Sequence, residues 1–242
     1  MVSEPDISRL TVIKCLGPRL VPFFKMVALF YVIFPDPEVS LGYLAFKCAP
    51  ILCLIGFVFM YGLRTPHKKS YTQKVLLGLI FSCIGDAFLV YPGIYFKIGV
   101  VCFAIAHILY VSAFGLRPLA LHVLPFVLTI IAFVWIYCSS HISSDFKVIG
   151  AIYGLLLSFM IWRAIAQLLT GESKIPWTSI SRALGAALFG ISDSILSLVF
   201  IGGANNKLKF LILPTYYAAQ MCLTVSVVDR KLLSLKAGSH SD

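Results

Sequence analysis

Two aspartates inside long apolar stretches are the residues of this sequence best suited to chemistry. Asp86 and Asp193 each have a small residue on both sides. A carboxylate within a membrane span costs free energy, so it is a functional candidate unless it only bonds a neighbouring helix. Two facing carboxyl groups in a medium of low dielectric constant are expected to leave one protonated and the other ionised. Such a pair suits a reaction through an oxocarbenium ion, in which an acid donates a proton and a carboxylate stabilises the cation and activates water.

Other polar residues lie at helical spacing within the apolar stretches. His107 and Tyr110 are three positions apart, and Tyr216, Tyr217 and Gln220 fall on one stripe. We expect His107 or Gln220 to orient a carboxylate or the attacking water, and the ring of Tyr216 or Tyr217 to face a choline group. Hydrogen bonding between helices is the alternative for each residue taken singly. The candidates for binding or orienting a substrate are therefore His107, Tyr110, Ser192, Tyr216, Tyr217, Gln220 and Lys25.

Three basic residues near the ends of apolar stretches are candidates for contacting a phosphate group. They are Lys25, Lys47 and Arg163. Ordinary anchoring of long basic side chains in the lipid headgroup region is the favoured alternative for all three.

The patterns of metal, serine-hydrolase and nucleotide sites are missing from the sequence. The predicted membrane core contains one histidine and no cysteine cluster at ligand spacing, which argues against a metal centre. The segment from Gly190 to Ser194 lacks the closing glycine of a nucleophile elbow. We therefore expect neither a metal ion nor an organic cofactor.

Membrane helices must position these residues. Apolar residues make up 60% of the 242 residues and charged residues 12%, with a mean hydropathy of +0.94. A soluble domain carries about 25% charged residues, so a cytosolic enzyme or a secreted module is excluded. Since a helix needs about 20 apolar residues to cross a bilayer, we predict an all-α polytopic transmembrane bundle with no soluble domain. Its eight spans lie near 20–34, 42–63, 74–91, 95–114, 119–137, 146–169, 179–201 and 208–228, and a short polar tail covers 229–242.

Basic residues predict the orientation of the chain in the membrane. The formal charge is +10, but the lysines and arginines are spread along the chain between the apolar stretches, which predicts contact with phospholipid headgroups and no nucleic-acid partner. Most of them fall on the side of the two termini if there are eight spans. The termini are therefore expected to be cytoplasmic. No removable signal peptide is expected, so the first span would act as its own insertion signal.

Two other classes of protein would also place carboxylates in a membrane. A transporter or channel could use Asp86 and Asp193 as proton or cation sites, and a weak similarity between the two halves of the chain suits that alternative. Against it, no proline or glycine break of a discontinuous helix stands beside either aspartate. A lipid-binding or scramblase-like protein without chemistry is the second alternative.

Four motifs carry a resemblance to a known family. Their order and spacing are specific, although each is short, and the similarity runs from about Gly17 to about Val228. The chain resembles the lysoplasmalogenase (YhhN-like) family of multi-span membrane proteins, with the vertebrate branch as the nearer likeness. The motifs are Gly85-Asp86-Ala87-Phe88-Leu89, His107 to Tyr110 followed by Ala113-Phe114-Gly115, Ser192-Asp193, and Thr215 to Gln220.

The resemblance implies an activity, a substrate and a location. It implies hydrolysis of the sn-1 vinyl ether of lysoplasmalogens, a class of lysophospholipid, to a fatty aldehyde and glycerophosphocholine or glycerophosphoethanolamine in the endoplasmic reticulum membrane. Asp86 and Asp193 would share the roles of proton donor and cation stabiliser, and which of them is the acid stays open. A homodimer also stays open, because nothing in the sequence determines it.

Overall fold

The structure is a computed structural model that describes residues 9–62, 69–141, 144–169, 176–200 and 208–228. Within these residues the chain forms eight α-helices and no strand, as the all-α prediction required. The predicted tail 229–242 lies outside the described residues, as do Leu63 and Ile201 at the ends of two predicted spans. The helices are α1 (Arg9–Ile33), α2 (Leu41–Phe57), α3 (Lys69–Phe88), α4 (Pro92–Phe114), α5 (Val123–Ser139), α6 (Ser144–Leu169), α7 (Trp177–Phe200) and α8 (Lys209–Val225).

Local sequence signals explain several helix ends. The side chain of Ser40 accepts a hydrogen bond from the Tyr43 backbone N–H and so caps α2. Pro92 occupies the first turn of α4, where its missing N–H costs nothing. Gly115 ends α4 with a φ of 75°, and its N–H bonds to the Val111 carbonyl. A π-helical turn, Val58–Gly62, extends α2.

Three predicted helix starts differ from the observed ones by more than three positions. Helix α1 begins at Arg9 and α3 at Lys69, whereas the predicted spans began at 20 and 74, because a helix can continue beyond its apolar segment. Helix α5 begins at Val123 rather than 119, since Arg117 to Ala120 form the connection after α4. Hydropathy reports the lipid-immersed length and not the end of the hydrogen-bonded helix.

The outer surface of the bundle is apolar. Large side chains such as Val32, Ile94, Phe126 and Phe133 are 70% to 78% exposed, which is the arrangement of a surface in lipid. Five helices are long and apolar enough to cross a membrane by length and composition, and α5 contributes a shorter apolar segment. The remaining two, α3 and α8, carry Asp86 and Tyr216. The protein is therefore an integral membrane protein built as a helical bundle.

Six helices close into a ring around the polar residues. Each of α2, α3, α4, α6, α7 and α8 packs against the next, and α8 returns to α2, while α1 packs outside on α2 and α5 packs on α6 and α7. The α3–α4 pair is among the most extensive contacts. Small residues on α3 permit this approach, because a Cβ atom at Gly85 would lie 2.8 Å from the Phe103 ring.

Candidate active site

Asp86 and Asp193 line the same pocket, which is the arrangement that their pairing requires. The pocket has a volume of about 600 Å³ and is walled mainly by apolar side chains of α4, α5, α6, α7 and α8. At about 1.5 Å per residue, Asp86 lies about 25 Å and Asp193 about 24 Å along their helices, so they reach a similar depth. The pocket extends to the membrane face that carries the α3–α4 and α5–α6 connections, as the lining residues Pro92, Gly93 and His141 show.

Asp86 is held by a cation and a phenol. The Tyr216 hydroxyl donates to its Oδ2 at 2.6 Å. Lys47 Nζ lies 3.7 Å from its Oδ1 and also donates to the Asp86 backbone carbonyl at 3.2 Å. Since both side chains of the ion pair are at most 9% exposed, the pair is shielded from solvent. The Tyr217 hydroxyl donates to the Lys47 carbonyl at 2.8 Å and so fixes α2 against α8.

Asp193 has a different set of partners. The Tyr153 hydroxyl donates to its Oδ2 at 2.5 Å and lies 3.0 Å from His107 Nε2. His107 Nε2 is 3.5 Å from the same carboxyl oxygen. The imidazole is fully buried and packs edge-on against the Phe189 ring, with 4.9 Å between ring centroids. Asp193 therefore receives its hydrogen bond from a neutral phenol that is itself positioned by a histidine.

All six ring helices contribute a polar side chain to this assembly. These side chains are far apart in sequence, and the packing of the helices brings them together. They are Lys47 from α2, Asp86 from α3, His107 from α4, Tyr153 from α6, Asp193 from α7 and Tyr216 from α8. We call these six residues the polar ring.

The structure separates the remaining candidates into near and distant positions. Ser192 lines the pocket and donates to the Ile212 carbonyl at 2.9 Å. Tyr110 donates to Gln220 Oε1 at 2.9 Å, and both side chains are fully buried without lining the pocket. Tyr217 is not a lining residue either, so of the two tyrosines predicted to face a choline group only Tyr216 has access to the pocket.

Of the three candidate phosphate contacts, one lies in the pocket. Lys47 is the only lysine or arginine among the described lining residues. Lys25 is exposed on α1, outside the pocket. Arg163 is neither a phosphate contact in the pocket nor a headgroup anchor, because its fully buried guanidinium donates at 2.6 Å to the carbonyls of Gly115 and Pro118 and so holds the α4–α5 connection.

Sequence reasoning missed Tyr153 and undervalued Lys47. Tyr153 lies beside Gly154 in an apolar stretch. A single tyrosine hydroxyl there is a weak signal, and helical spacing does not link it to the other polar residues. Lys47 lies within α2 rather than at its end, which marks it as a charge that needs a partner. Among the described residues, no three His, Cys, Asp or Glu side chains are grouped so that they could hold a metal ion.

Comparisons with known proteins agree over most of the chain. The model of the YhhN family matches residues 42–227. Lysoplasmalogenase TMEM86A of Bos taurus is 36% identical over 229 residues, which cover 93% of this chain and 95% of that protein. Lysoplasmalogenase TMEM86B of Homo sapiens is 33% identical over 213 residues, 86% of each chain. No solved structure matches the chain significantly. With a family match over more than half its length, the chain belongs to the YhhN family.

Proposed function

We propose that this protein is a lysoplasmalogenase that hydrolyses the sn-1 vinyl ether of lysoplasmalogens. The products are a fatty aldehyde and glycerophosphocholine or glycerophosphoethanolamine. The observation that carries the proposal is the pair of carboxyl groups, Asp86 and Asp193, in one largely apolar pocket. The curated relatives support it, since they bear the name lysoplasmalogenase and align with most of this chain.

The chemistry of the pocket suits a vinyl ether. Protonation of the outer alkene carbon gives an oxocarbenium ion, which water captures as a hemiacetal that collapses to aldehyde and alcohol. A positioned general acid contributes about 10²- to 10⁴-fold, and a carboxylate beside the cation adds to this. The two aspartates supply these groups, and the apolar wall, which includes Phe96, Phe103 and Trp135, accommodates the hydrocarbon chain.

The site lies in a membrane because its substrate does. A lysolipid can keep its tail in hydrocarbon while its ether oxygen reaches the polar ring. We place the protein in the endoplasmic reticulum membrane with cytoplasmic termini, so that the pocket opens toward the lumen. The excess of lysine and arginine on the terminal side supports this orientation.

The deciding experiment compares substrates on purified protein in detergent. Vinyl-ether, alkyl-ether and acyl lysolipids of the same chain length are incubated side by side, and the products are identified by mass spectrometry. We expect fatty aldehyde from the vinyl ether and no product from the other two. Free fatty acid from the acyl lipid would replace the proposal by ester hydrolysis.

The same assay separates an enzyme from a carrier. Detergent solution has no membrane potential and no second compartment, so a proton- or cation-coupled transporter that uses the two aspartates would leave every lipid intact.

Each aspartate supplies a group that the reaction needs. Replacing Asp86 or Asp193 by Asn should therefore reduce aldehyde release by the folded protein to near background. A folded Asp→Asn variant with wild-type turnover would remove that residue from the mechanism.

A further inference from the structure

We infer that the two aspartates have fixed and different roles: Asp86 is the ionised carboxylate that faces the oxocarbenium ion, and Asp193 is the proton donor. Lys47 and Tyr153 are positioning residues, of which Lys47 imposes the division by neutralising Asp86 and Tyr153 holds the Asp193 carboxyl group in place. The inference rests on the proposed function and goes beyond it, because paired carboxyl groups alone do not say which one holds the proton. It follows from the partners of each carboxyl group.

Charge balance in the pocket allows one ionised carboxylate. Two carboxyl groups line the pocket, and Lys47 is the only lysine or arginine among its described lining residues. A buried carboxylate without a counter-charge is strongly disfavoured. Lys47 Nζ contacts Asp86 and not Asp193, so Asp86 is the carboxylate that is neutralised. Tyr216 donates to the same carboxylate and stabilises its charged form further.

The contacts found around Asp193 involve Oδ2 and leave Oδ1 to carry an acidic proton. His107 Nδ1 is buried and has no hydrogen-bond partner in the described part of the chain. A bare acceptor is tolerated there more easily than an unpaired N–H, so His107 is neutral with its proton on Nε2. Nε2–H then donates to the Tyr153 oxygen, and the Tyr153 hydroxyl donates to Asp193 Oδ2. Oδ2 is thus occupied as an acceptor, and the acidic proton resides on Oδ1.

This assignment gives a reaction cycle in which protons balance. The Oδ1 proton of Asp193 moves to the outer alkene carbon, the π electrons form the new C–H bond, and the ether oxygen becomes an oxocarbenium ion beside the Asp86 carboxylate. Asp86 takes a proton from water as the water oxygen bonds to the cationic carbon, giving the hemiacetal. Asp193 then takes the hemiacetal hydroxyl proton while Asp86 protonates the departing glycerol oxygen. The bond from that oxygen to the hemiacetal carbon breaks, and both carboxyl groups return to their starting states.

The other titratable groups near each aspartate show which of them could influence whether its carboxyl group is ionised. Lys47 is the only basic side chain among the described titratable groups around Asp86. Those groups are Tyr43, Lys47 and Cys48 on α2, Cys83 on α3, Asp193 on α7, and Tyr216 and Tyr217 on α8. Around Asp193 they are His107 on α4, Tyr153 on α6 and Asp86 on α3, while His141 lies exposed where the pocket ends.

A cationic mimic of the intermediate tests the assignment directly. The probe is a single-chain glycerophosphocholine whose sn-1 vinyl ether is replaced by an alkylammonium group, and its Kd is measured by titration calorimetry on folded protein in detergent. Removing the partner of a buried charge pair is costly, so Asp86→Asn should weaken binding by about 30-fold or more. Asp193→Asn should leave Kd nearly unchanged, because Asn resembles a neutral carboxyl group. Equal losses in the two variants, or a larger loss in Asp193→Asn, would overturn the assignment.

The pH dependence of Lys47 variants provides a second and independent readout. The ionised form of Asp86 is active, so activity falls at low pH as that carboxylate is protonated. Without the Lys47 charge, protonation is easier, and Lys47→Met should move the acid limb of kcat up by about one pH unit or more, whereas Lys47→Arg restores it. The control is Lys74, a half-buried lysine of α3 that does not line the pocket and donates to the Ser112 carbonyl at 3.0 Å, and Lys74→Met should keep the wild-type profile. A Lys47→Met profile displaced only in its alkaline limb would contradict the assignment. If Asp86→Asn does not fold, the Lys47→Met profile alone tests which aspartate is ionised.

Failure of the inference can be told apart from failure of the proposed function. If both Asp→Asn variants release aldehyde at the wild-type rate, the proposed catalysis fails. If both are inactive and the mimic depends on Asp193, the hydrolysis stands and only the division of roles is wrong.

Discussion

At the scale of single residues, the Tyr153 hydroxyl distinguishes the environment of Asp193 from that of Asp86. It donates to the carboxyl oxygen and stabilises the carboxylate that proton donation leaves behind. Tyr153→Phe should therefore lower kcat by about tenfold or more with little change in KM, since one hydrogen bond to a charged group is lost. Steady-state kinetics on purified protein measure both parameters.

The control for that change is Tyr137→Phe. Tyr137 is 46% exposed on α5, so the same loss of a hydroxyl should leave kcat and KM unaltered. A Tyr153→Phe variant with wild-type kcat would show that Asp193 needs no support from Tyr153.

At the scale of elements, the contact of α3 with α4 fixes the position of Asp86. A Cβ atom at Gly85 would lie 2.8 Å from the Phe103 ring and 3.3 Å from the Gly99 carbonyl oxygen, so the two helices must move apart to admit one. We expect Gly85→Ala to lower the free energy of unfolding by about 1–3 kcal/mol, as overpacking does. Activity should fall as well, because Phe103 lines the pocket and Asp86 directly follows Gly85 in the sequence. Thermal unfolding in detergent and aldehyde release measure the two effects.

The matched control has the opposite sign. At Gly56 in α2 an added Cβ atom would meet nothing within 4 Å beyond its chain neighbours and its own helix backbone, so Gly56→Ala should stabilise the helix by about 0.5–1 kcal/mol. If Gly85→Ala behaved like Gly56→Ala, the close packing of α3 on α4 would not control the site.

At the scale of the whole molecule, the pocket lies nearer to one membrane face. Its lining reaches the α3–α4 and α5–α6 connections, and alternating helices place the α1–α2 connection on that face too. With cytoplasmic termini, a glycosylation acceptor sequence with flexible spacers inserted between Pro35 and Val39 should be glycosylated in endoplasmic reticulum membranes. The same insert between Leu116 and Leu119 should not be. A mobility shift that is reversed by a glycosidase gives the readout.

The reverse pattern would place the pocket on the cytoplasmic side. It would also require the excess of lysine and arginine to face the lumen, contrary to the positive-inside rule. Modification of both inserts would indicate an even number of spans between the two sites, contrary to the three helices α2, α3 and α4 that separate them here.

The sequence alone was sufficient for the helical bundle and for its two intramembrane acids. Long apolar stretches require helices in lipid because every backbone polar group must be bonded within its own segment. Spacing along a helix placed Asp86 and Asp193 at comparable depth, and their rarity among apolar neighbours identified them as candidates. These properties are local, so they can be read without knowing which helices touch.

Only the tertiary structure decided which side chains surround each acid. Lys47 is 39 residues from Asp86 in sequence, and Tyr153 is 40 residues from Asp193. Hydropathy and helical period determine the face and depth of a residue, but the order of helices around the ring depends on side-chain packing over long sequence separations. The same limit explains why Arg163, a plausible phosphate ligand by type, instead binds the carbonyls of a connection that folds back on α6.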